Sequence, residues 1–200
     1  MVDALCRLAR GVLEALGVNL QLNTQQIAEC IRSIGLGFMF APNHHSAMRY
    51  AAPVRKELGV RTLFNLLGPL TNPAGADAQV LGVYDKKLVP LLAHVLARMG
   101  SRHVMVVHGE DGLDEITLRG KTYVAELKNG AVHEYTLCPS EFGFNQCGAE
   151  DLYVADAAQA KAVLLQVLAN QAGPARDIVC LNAGAAIYVA GKTTSLAEGI

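Results

Sequence analysis

Residues 78 to 109 contain a strand, a helix and a second strand in succession, and this unit constrains the fold more than any other part of the chain. The runs AQVLGVY and HVMVVHG are continuous apolar segments, typical of strands that are buried on both faces. The segment between them, KKLVPLLAHVLARMG, has apolar residues at helical spacing: Leu88, Leu91, Leu92, Val95 and Met99. Two strands joined by a crossover helix form a right-handed parallel pair. The sequence therefore predicts an α/β protein.

A hairpin and two helices are predicted after this unit. The segment KTYVAELKNGAVHEYTL alternates between apolar and polar residues on both sides of Asn129-Gly130, which predicts a β-hairpin over residues 121 to 137. Asp156 is predicted to cap one helix, and Pro174 to open another. These elements place a sheet and its covering helices in residues 76 to 200.

Residues 1 to 75 are predicted to be mainly helical. One helix should begin after Asn23 or Thr24 and stop at Gly35, with isoleucines on one face. The following run GFMFAP is predicted to be a short buried segment closed by Pro42. A further short helix or turn should end at Gly68-Pro69.

Composition and charge exclude several classes of protein. Charged residues make up 18% of the chain, below the roughly 25% that is usual, which predicts that part of the surface meets another surface, as in an oligomer or a truncated chain. The net charge of −1, with no run of basic residues, argues against binding to nucleic acid or to a membrane surface. The five cysteines are odd in number and lack C-x-x-C spacing, so a reducing cytoplasm is the simplest location.

The segment HGEDGLDEI concentrates four carboxylates, those of Glu110, Asp111, Asp114 and Glu115, directly after a predicted strand. In open parallel sheets, ligands bind beyond the carboxyl ends of the strands. The adjacent pair Asp114-Glu115 could hold a hard cation such as Mg²⁺ through its carboxylate oxygens. A solvated acidic turn is the alternative, and the residues alone leave both open.

Two other groups of polar residues are candidate sites. His44 and His45 have no third ligand at metal-binding spacing, so a pocket-lining imidazole is favoured over a zinc pair. Arg55 and Lys56 form the second group. On the residues alone, they are interpreted as a solvated helix face. The chain contains no nucleophile elbow, dinucleotide fingerprint or Walker-type loop.

Three segments carry a resemblance to a known family. GFMFAPNHHSAMRYAAPVRKELGVRTLFNLLGPLTNPA, GLDE and LNAGAAIYVAG closely resemble anthranilate phosphoribosyltransferase, and the likeness runs from about Val12 to the last residue. The resemblance implies a nucleoside phosphorylase/phosphoribosyltransferase-like α/β domain with part of a small helical domain. In this chain, residues 1–75 would supply the helical part and residues 76–200 the α/β domain.

The resemblance also implies roles for particular residues. Asp114 and Glu115 match an acidic pair that binds Mg²⁺ on phosphoribosyl pyrophosphate (PRPP). Arg55 matches the arginine that contacts the anthranilate carboxylate, a task suited to a planar donor fork. His45, Ala41 and Pro42 match the wall of the anthranilate channel. No residue is assigned as catalytic, because metal ions and alignment would carry the reaction.

The implied activity is transfer of the phosphoribosyl group from PRPP to anthranilate in tryptophan biosynthesis, in the cytoplasm. The family's Gly-Thr-Gly-Gly-Asp loop and Lys-His-Gly-Asn stretch are absent from these 200 residues, and His45-Ser46 replaces His-Pro. The chain is therefore expected to be a fragment that starts inside the family's fold. Alternatives are a non-catalytic remnant that binds Mg²⁺ or anthranilate weakly, and a nucleic-acid-binding relative, which the charge disfavours. A homodimer is expected where the full helical domain is present.

Overall fold

The described residues fall into two compact units, each with buried apolar residues of its own. The computed structural model describes residues 10–40, 44, 64–72 and 74–200. The first unit combines the described residues up to Ala74 with Val154–Ala162. The second combines Gly75–Tyr153 with Val163–Ile200.

The first unit contains the helix predicted to follow Asn23. Helix α1 spans Thr24–Ile34. The Asn23 side chain accepts a hydrogen bond from the Gln26 backbone at 3.0 Å, and the Gln26 side chain accepts one from the Asn23 backbone at 2.9 Å. This reciprocal pair satisfies two backbone donors that a helix start leaves unpaired. The helix ends at Gly35, whose φ of 75° is a left-handed conformation that glycine adopts without strain.

Two predictions for the first unit are wrong. The described part of GFMFAP forms no strand, and Phe38 is 43% exposed. This stretch runs back along α1, since a Cβ at Gly37 would lie 2.7 Å from Ile31 Cγ1. Helix α2, Phe64–Leu70, continues through Pro69 instead of ending there. Proline's fixed φ suits a helix, and a short helix loses only one backbone bond to it.

The second unit is built on a four-stranded sheet with the order β1-β2-β3-β4. Its strands are β1 Ala78–Gly82, β2 His103–Gly109, β3 Thr122–Lys128 and β4 Ala131–Leu137. β1 and β2 are parallel, with Ala78 opposite His103, which confirms the predicted pair. β2–β3 and β3–β4 are antiparallel, so the sheet is mixed.

The predicted hairpin is present and joins β3 to β4. Asn129 and Gly130 have φ values of 53° and 80°. Positive φ at both central residues matches the turn that favours Asn-Gly, because its twist suits the flanking strands. The turn thereby fixes the pairing of Lys128 with Ala131.

Helices cover both faces of the sheet. The two covering helices are α3 Leu88–Arg98 and α5 Pro174–Val189. Among the described residues, two further helices are α4 Ala157–Leu168 and α6 Leu196–Gly199. α3 contacts β2, β3 and β4, whereas α5 contacts β1 and β2. Asp156 accepts a hydrogen bond from the Gln159 backbone at 2.8 Å, and Pro174 lies in the first turn of α5, as predicted. The α/β fold class is therefore confirmed.

A hydrophobic core lies between the sheet and α5. Its fully buried members include Met105, Ile116, Leu118, Val124, Leu181 and Ala185. Successive β2 residues point to opposite faces, so Val104 and Val106 lie on the face covered by α3. None of the helices in the described parts of the chain has the length and apolar character required to span a bilayer.

A polar cluster is buried at the beginning of β2. Glu126 accepts hydrogen bonds from Tyr188 Oη at 2.7 Å and Tyr135 Oη at 2.8 Å, and its carboxylate lies 2.8 Å from His103 Nε2. Burial alone would raise the pKa of Glu126, but the hydrogen bonds from Tyr188 and Tyr135, together with the contact to His103, give a net lowering. Beside the cluster is a cavity of about 370 Å³ lined by residues that include Arg102, Lys128 and Thr193. The cluster lies at the first residue of β2, whereas the acidic loop follows the last residue of that strand. The two ends are six residues apart, which is about 20 Å at roughly 3.3 Å per residue.

Candidate functional site

The acidic loop after β2 contains the predicted metal ligands. Asp114 and Glu115 lie between Gly109, the last residue of β2, and Thr122, the first of β3. The other predicted site residues, Ala41, Pro42, His45 and Arg55, lie outside the described residues. Their predicted roles in binding anthranilate therefore stay predictions.

Backbone hydrogen bonds close the loop into a tight turn. Gly109 N–H donates to the Leu113 carbonyl at 2.8 Å, and Gly112 N–H donates to the Gly109 carbonyl at 2.9 Å. Gly112 has a φ of 90°, a left-handed conformation that residues with a Cβ rarely adopt. Glu110 N–H donates to the Lys121 carbonyl at 2.8 Å. The two ends of the loop are thus held together where β2 ends and β3 begins.

Two of the four carboxylates stabilise the loop itself. Glu110 accepts a hydrogen bond from Lys121 N–H at 3.2 Å. Asp111 accepts one from the Thr117 hydroxyl at 2.9 Å and lies 3.5 Å from the guanidinium of Arg119. The side chain of Asp111 is only 7% exposed, so its contacts replace water inside the loop.

The other two carboxylates, those of Asp114 and Glu115, are exposed and make no side-chain hydrogen bond or ion pair with a described residue. Desolvation by nearby atoms, followed by the like charge of Asp114, raises the pKa of Glu115. The loop therefore divides its four acids into two that are satisfied by the protein and two that are available to a ligand.

The backbone on each side of this pair is fixed by the rest of the second unit. A Cβ at Gly82, the last residue of β1, would overlap the backbone carbonyl of Asp114. On the other side, the Asn182 amide from α5 bonds both backbone groups of Ile116, accepting from N–H at 3.0 Å and donating to the carbonyl at 2.9 Å. The exposed pair therefore projects from backbone that is already held in place. Little conformational entropy is then lost when a ligand binds.

His108, the penultimate residue of β2, is tied to the neighbouring strand end. Its Nδ1 lies 2.7 Å from the Val83 carbonyl. Because a carbonyl only accepts, Nδ1 carries the proton in this contact. This bond and the one from Val83 N–H to the Val107 carbonyl, 2.9 Å long, hold together the strand ends beneath the loop.

Sequence reasoning missed three residues of this arrangement: Gly82, His108 and Asn182. Asn182 was included only as part of the family-like segment LNAGAAIYVAG, and Gly82 only as part of the predicted strand AQVLGVY. The contacts of Asn182 span 66 residues of chain. Its position in a buried small-residue helix was the one available signal, because a polar side chain there needs a hydrogen-bond partner.

The donor set of Asp114 and Glu115 fits a hard divalent cation. Carboxylate oxygens suit Mg²⁺, which is usually bound by one or two carboxylates together with waters and substrate phosphates. No cluster of three or more His, Cys, Asp and Glu side chains that could hold a metal occurs in the described parts of the chain. The pair therefore fits an ion that a phosphorylated ligand helps to coordinate, rather than a closed structural metal site.

The amino-acid sequence matches known transferases over nearly its whole length. Residues 9–200 match the family described as "Glycosyl transferase family, a/b domain". The chain is 67% identical over 189 residues to the anthranilate phosphoribosyltransferase of Laribacter hongkongensis, covering 94% of this chain and 55% of that protein. The corresponding enzyme of Thiobacillus denitrificans is 65% identical with the same coverage. The chain spans about half the length of the curated relatives it matches.

Solved structures have the same fold. Anthranilate phosphoribosyltransferase from Thermus thermophilus matches with a TM-score of 0.86 and 47% identity, over 95% of this chain and 56% of that one. The Saccharomyces cerevisiae enzyme in complex with PRPP and Mg matches with a TM-score of 0.84 and 27% identity, over 96% and 56%. These matches confirm the resemblance to anthranilate phosphoribosyltransferase that the sequence predicted. The chain belongs to the glycosyl transferase family, of which residues 9–200 match the a/b domain.

Proposed function

We propose that this chain carries the metal-binding acidic loop of an anthranilate phosphoribosyltransferase. The reaction is transfer of the phosphoribosyl group from PRPP to anthranilate, giving phosphoribosyl-anthranilate and pyrophosphate. The observation that carries the proposal is the pair of exposed carboxylates, Asp114 and Glu115, on a backbone fixed from both sides, in a chain 67% identical to an enzyme of that name. A structure of the yeast enzyme containing PRPP and Mg supports the ligand class.

The proposed chemistry is substitution at the anomeric carbon of the ribose. The bond from that carbon to the pyrophosphate oxygen breaks, a bond to the anthranilate nitrogen forms, and the amine loses a proton to solvent. When bound, Mg²⁺ would neutralise charge on the leaving group. Asp114 and Glu115 would hold that ion through carboxylate oxygens, and the rigid loop would keep its position constant as the substrates align.

The anthranilate side of the site is proposed from the sequence. Arg55 would pair with the anthranilate carboxylate, since a guanidinium donates two parallel hydrogen bonds to a carboxylate. His45, Ala41 and Pro42 would line the channel in which the aromatic ring lies. Arg55→Lys should raise KM for anthranilate more than KM for PRPP, because an ammonium lacks the planar fork.

The first experiment measures loss of anthranilate fluorescence after PRPP and Mg²⁺ are added to the purified 200-residue chain. Turnover that is lost in Asp114→Asn and Glu115→Gln, but kept in Glu134→Gln, would support the proposal. Glu134 is an exposed carboxylate on β4, so that control removes a surface charge without touching the loop. Absence of turnover in a chain with native circular dichroism would overturn catalysis by this chain, and isothermal titration would then test whether Mg²⁺ or anthranilate still binds.

The cytoplasmic location and the assembly are also part of the proposal. A homodimer is expected where the full helical domain is present, and sedimentation velocity would measure it. Neither nucleic acid nor membrane is expected among the partners, because the net charge is −1.

A further inference from the structure

We propose that Asn182 is a positioning residue for the metal-binding loop, acting through the backbone of Ile116. This inference rests on the proposed function of Asp114 and Glu115 as metal ligands. Asn182 lies on α5, and its side chain reaches the residue that directly follows the acidic pair.

The contact is a two-point clamp. Asn182 Oδ1 accepts from Ile116 N–H at 3.0 Å, and Nδ2 donates to the Ile116 carbonyl at 2.9 Å. Nδ2 also donates to the Ile178 carbonyl at 2.9 Å, one turn earlier on the same helix. Because Nδ2 contacts two carbonyls and Oδ1 contacts an N–H, the orientation of the amide is fixed by its partners.

The clamp restrains both peptide units around Ile116. The N–H of Ile116 belongs to the peptide unit that begins at Glu115, so its orientation constrains the backbone from which the Glu115 side chain projects. The Ile116 side chain is 1% exposed and packs in the core beside Leu181 and Ala185. Loop backbone, clamp and core packing therefore define one position for the backbone from which the Glu115 carboxylate projects.

Asn182 and Gly82 act on opposite sides of the pair. Gly82 allows the Asp114 carbonyl to approach β1 closely, and Asn182 holds the backbone after Glu115. Two carboxylates that share one small cation must keep their oxygens close together despite their repulsion. Partners behind the direct ligands of a metal commonly supply this restraint, and their loss costs about 10- to 100-fold in metal affinity.

The test measures binding of Mn²⁺, a paramagnetic probe for Mg²⁺, to the 200-residue chain by electron paramagnetic resonance. Asn182→Ala and Asn182→Leu both remove the clamp, and the leucine keeps most of the side-chain volume. Each should weaken Mn²⁺ binding by about 10-fold or more, as expected for lost support of a metal ligand. Val189→Ala is the matched control, because Val189 is 3% exposed on the same helix and packs in the same core, but its side chain has no group that could hydrogen-bond to the loop.

The outcomes separate this inference from the proposed function. Weaker Mn²⁺ binding in the Asn182 variants, with wild-type affinity in Val189→Ala, would support the positioning role. Wild-type affinity in a folded Asn182 variant would overturn it, provided that Asp114→Asn with Glu115→Gln abolishes binding. If that double variant still binds Mn²⁺, or the wild-type chain binds none, the metal loop and the inference both fail.

Discussion

Glu126 on β3 lies diagonally across from His103 on the neighbouring antiparallel strand β2, offset by two positions in the register, with Glu126 Oε1 2.8 Å from His103 Nε2. Tyr135 and Tyr188 donate hydrogen bonds to the same carboxylate, and Lys128 donates to the Tyr188 hydroxyl at 2.8 Å. The cluster is therefore a network in which a buried carboxylate stays ionised because several donors surround it. Because Glu126 must be protonated in acid, the free energy of unfolding should depend on pH.

Stability should fall in acid through Glu126. Its pKa in the folded chain is lowered from the ordinary value, so its ionised form stabilises the fold at pH values above the unfolded pKa, about 4.3. That contribution is lost as pH falls from there through the lowered folded pKa. Urea unfolding between pH 7 and pH 3 should give a steeper loss of stability for the wild type than for Glu126→Gln.

Glu134→Gln on the adjacent strand is the control for this measurement. Glu134 is exposed and pairs with Ala125 in the sheet register, so its removal should leave the acid slope unchanged. Equal slopes for the wild type and Glu126→Gln would show that the cluster does not contribute to acid unfolding.

The hairpin turn should tolerate no side chain at Gly130. Gly130 has a φ of 80°, and an alanine there would cost about 1–2 kcal/mol in the free energy of unfolding, since a Cβ disfavours left-handed backbone. Gly11→Ala is the opposite case: Gly11 lies in a helical stretch, and a Cβ there would lie 3.5 Å from Ala157 Cβ, an ordinary contact distance. It should be neutral or stabilise by up to about 1 kcal/mol. Equal effects of the two alanines in denaturant titrations would contradict the turn assignment.

Local signals account for what the sequence predicted correctly. The Asn23 cap, the Gly35 stop and the Asn129-Gly130 turn each depend on a few consecutive residues. The parallel pair β1–β2 followed from two apolar runs and the helix between them. Such features are predictable because the physical cause lies within the segment itself.

Contacts between separate segments of the chain account for what the sequence did not reveal. The GFMFAP run is apolar, yet Phe38 is 43% exposed, because composition does not say whether another element covers a segment. The acidic loop was predicted as a site, but its division into two protein-bonded and two free carboxylates depends on Thr117, Arg119 and Lys121. The clamp from Asn182 joins residues 66 apart in sequence, which no local pattern specifies.

Leu181 should be a major contributor to stability. It is 1% exposed in the core between α5 and the sheet, and Leu181→Ala would leave a cavity that costs about 2–5 kcal/mol. Leu91 on α3 is 55% exposed, so Leu91→Ala should change stability by less than about 0.5 kcal/mol. Urea unfolding followed by circular dichroism measures both. A small loss for Leu181→Ala, comparable to that for Leu91→Ala, would contradict this packing.

Gly82 should matter both to the fold and to the metal loop. A Cβ at this position would overlap the backbone carbonyl of Asp114, and neither the added methyl group nor the carbonyl can rotate away. Gly82→Ala must therefore displace the end of β1 or the loop, at a cost of about 1–3 kcal/mol in stability. If the loop is what moves, Mn²⁺ affinity should fall together with stability.

Gly120→Ala is the matched control within the same loop. A Cβ at Gly120 would lie 3.0 Å from Glu110 Oε2, the end of an exposed side chain that can shift, and water can replace this oxygen as the acceptor of its 3.2 Å bond from Lys121 N–H. This variant should stay close to wild type in both measurements, whereas Gly82→Ala should be impaired in both. Because the two substitutions add the same methyl group, the difference between them isolates the close approach of β1 to Asp114. Wild-type stability and Mn²⁺ affinity in Gly82→Ala would contradict that approach and, with it, the fixed position of the acidic pair.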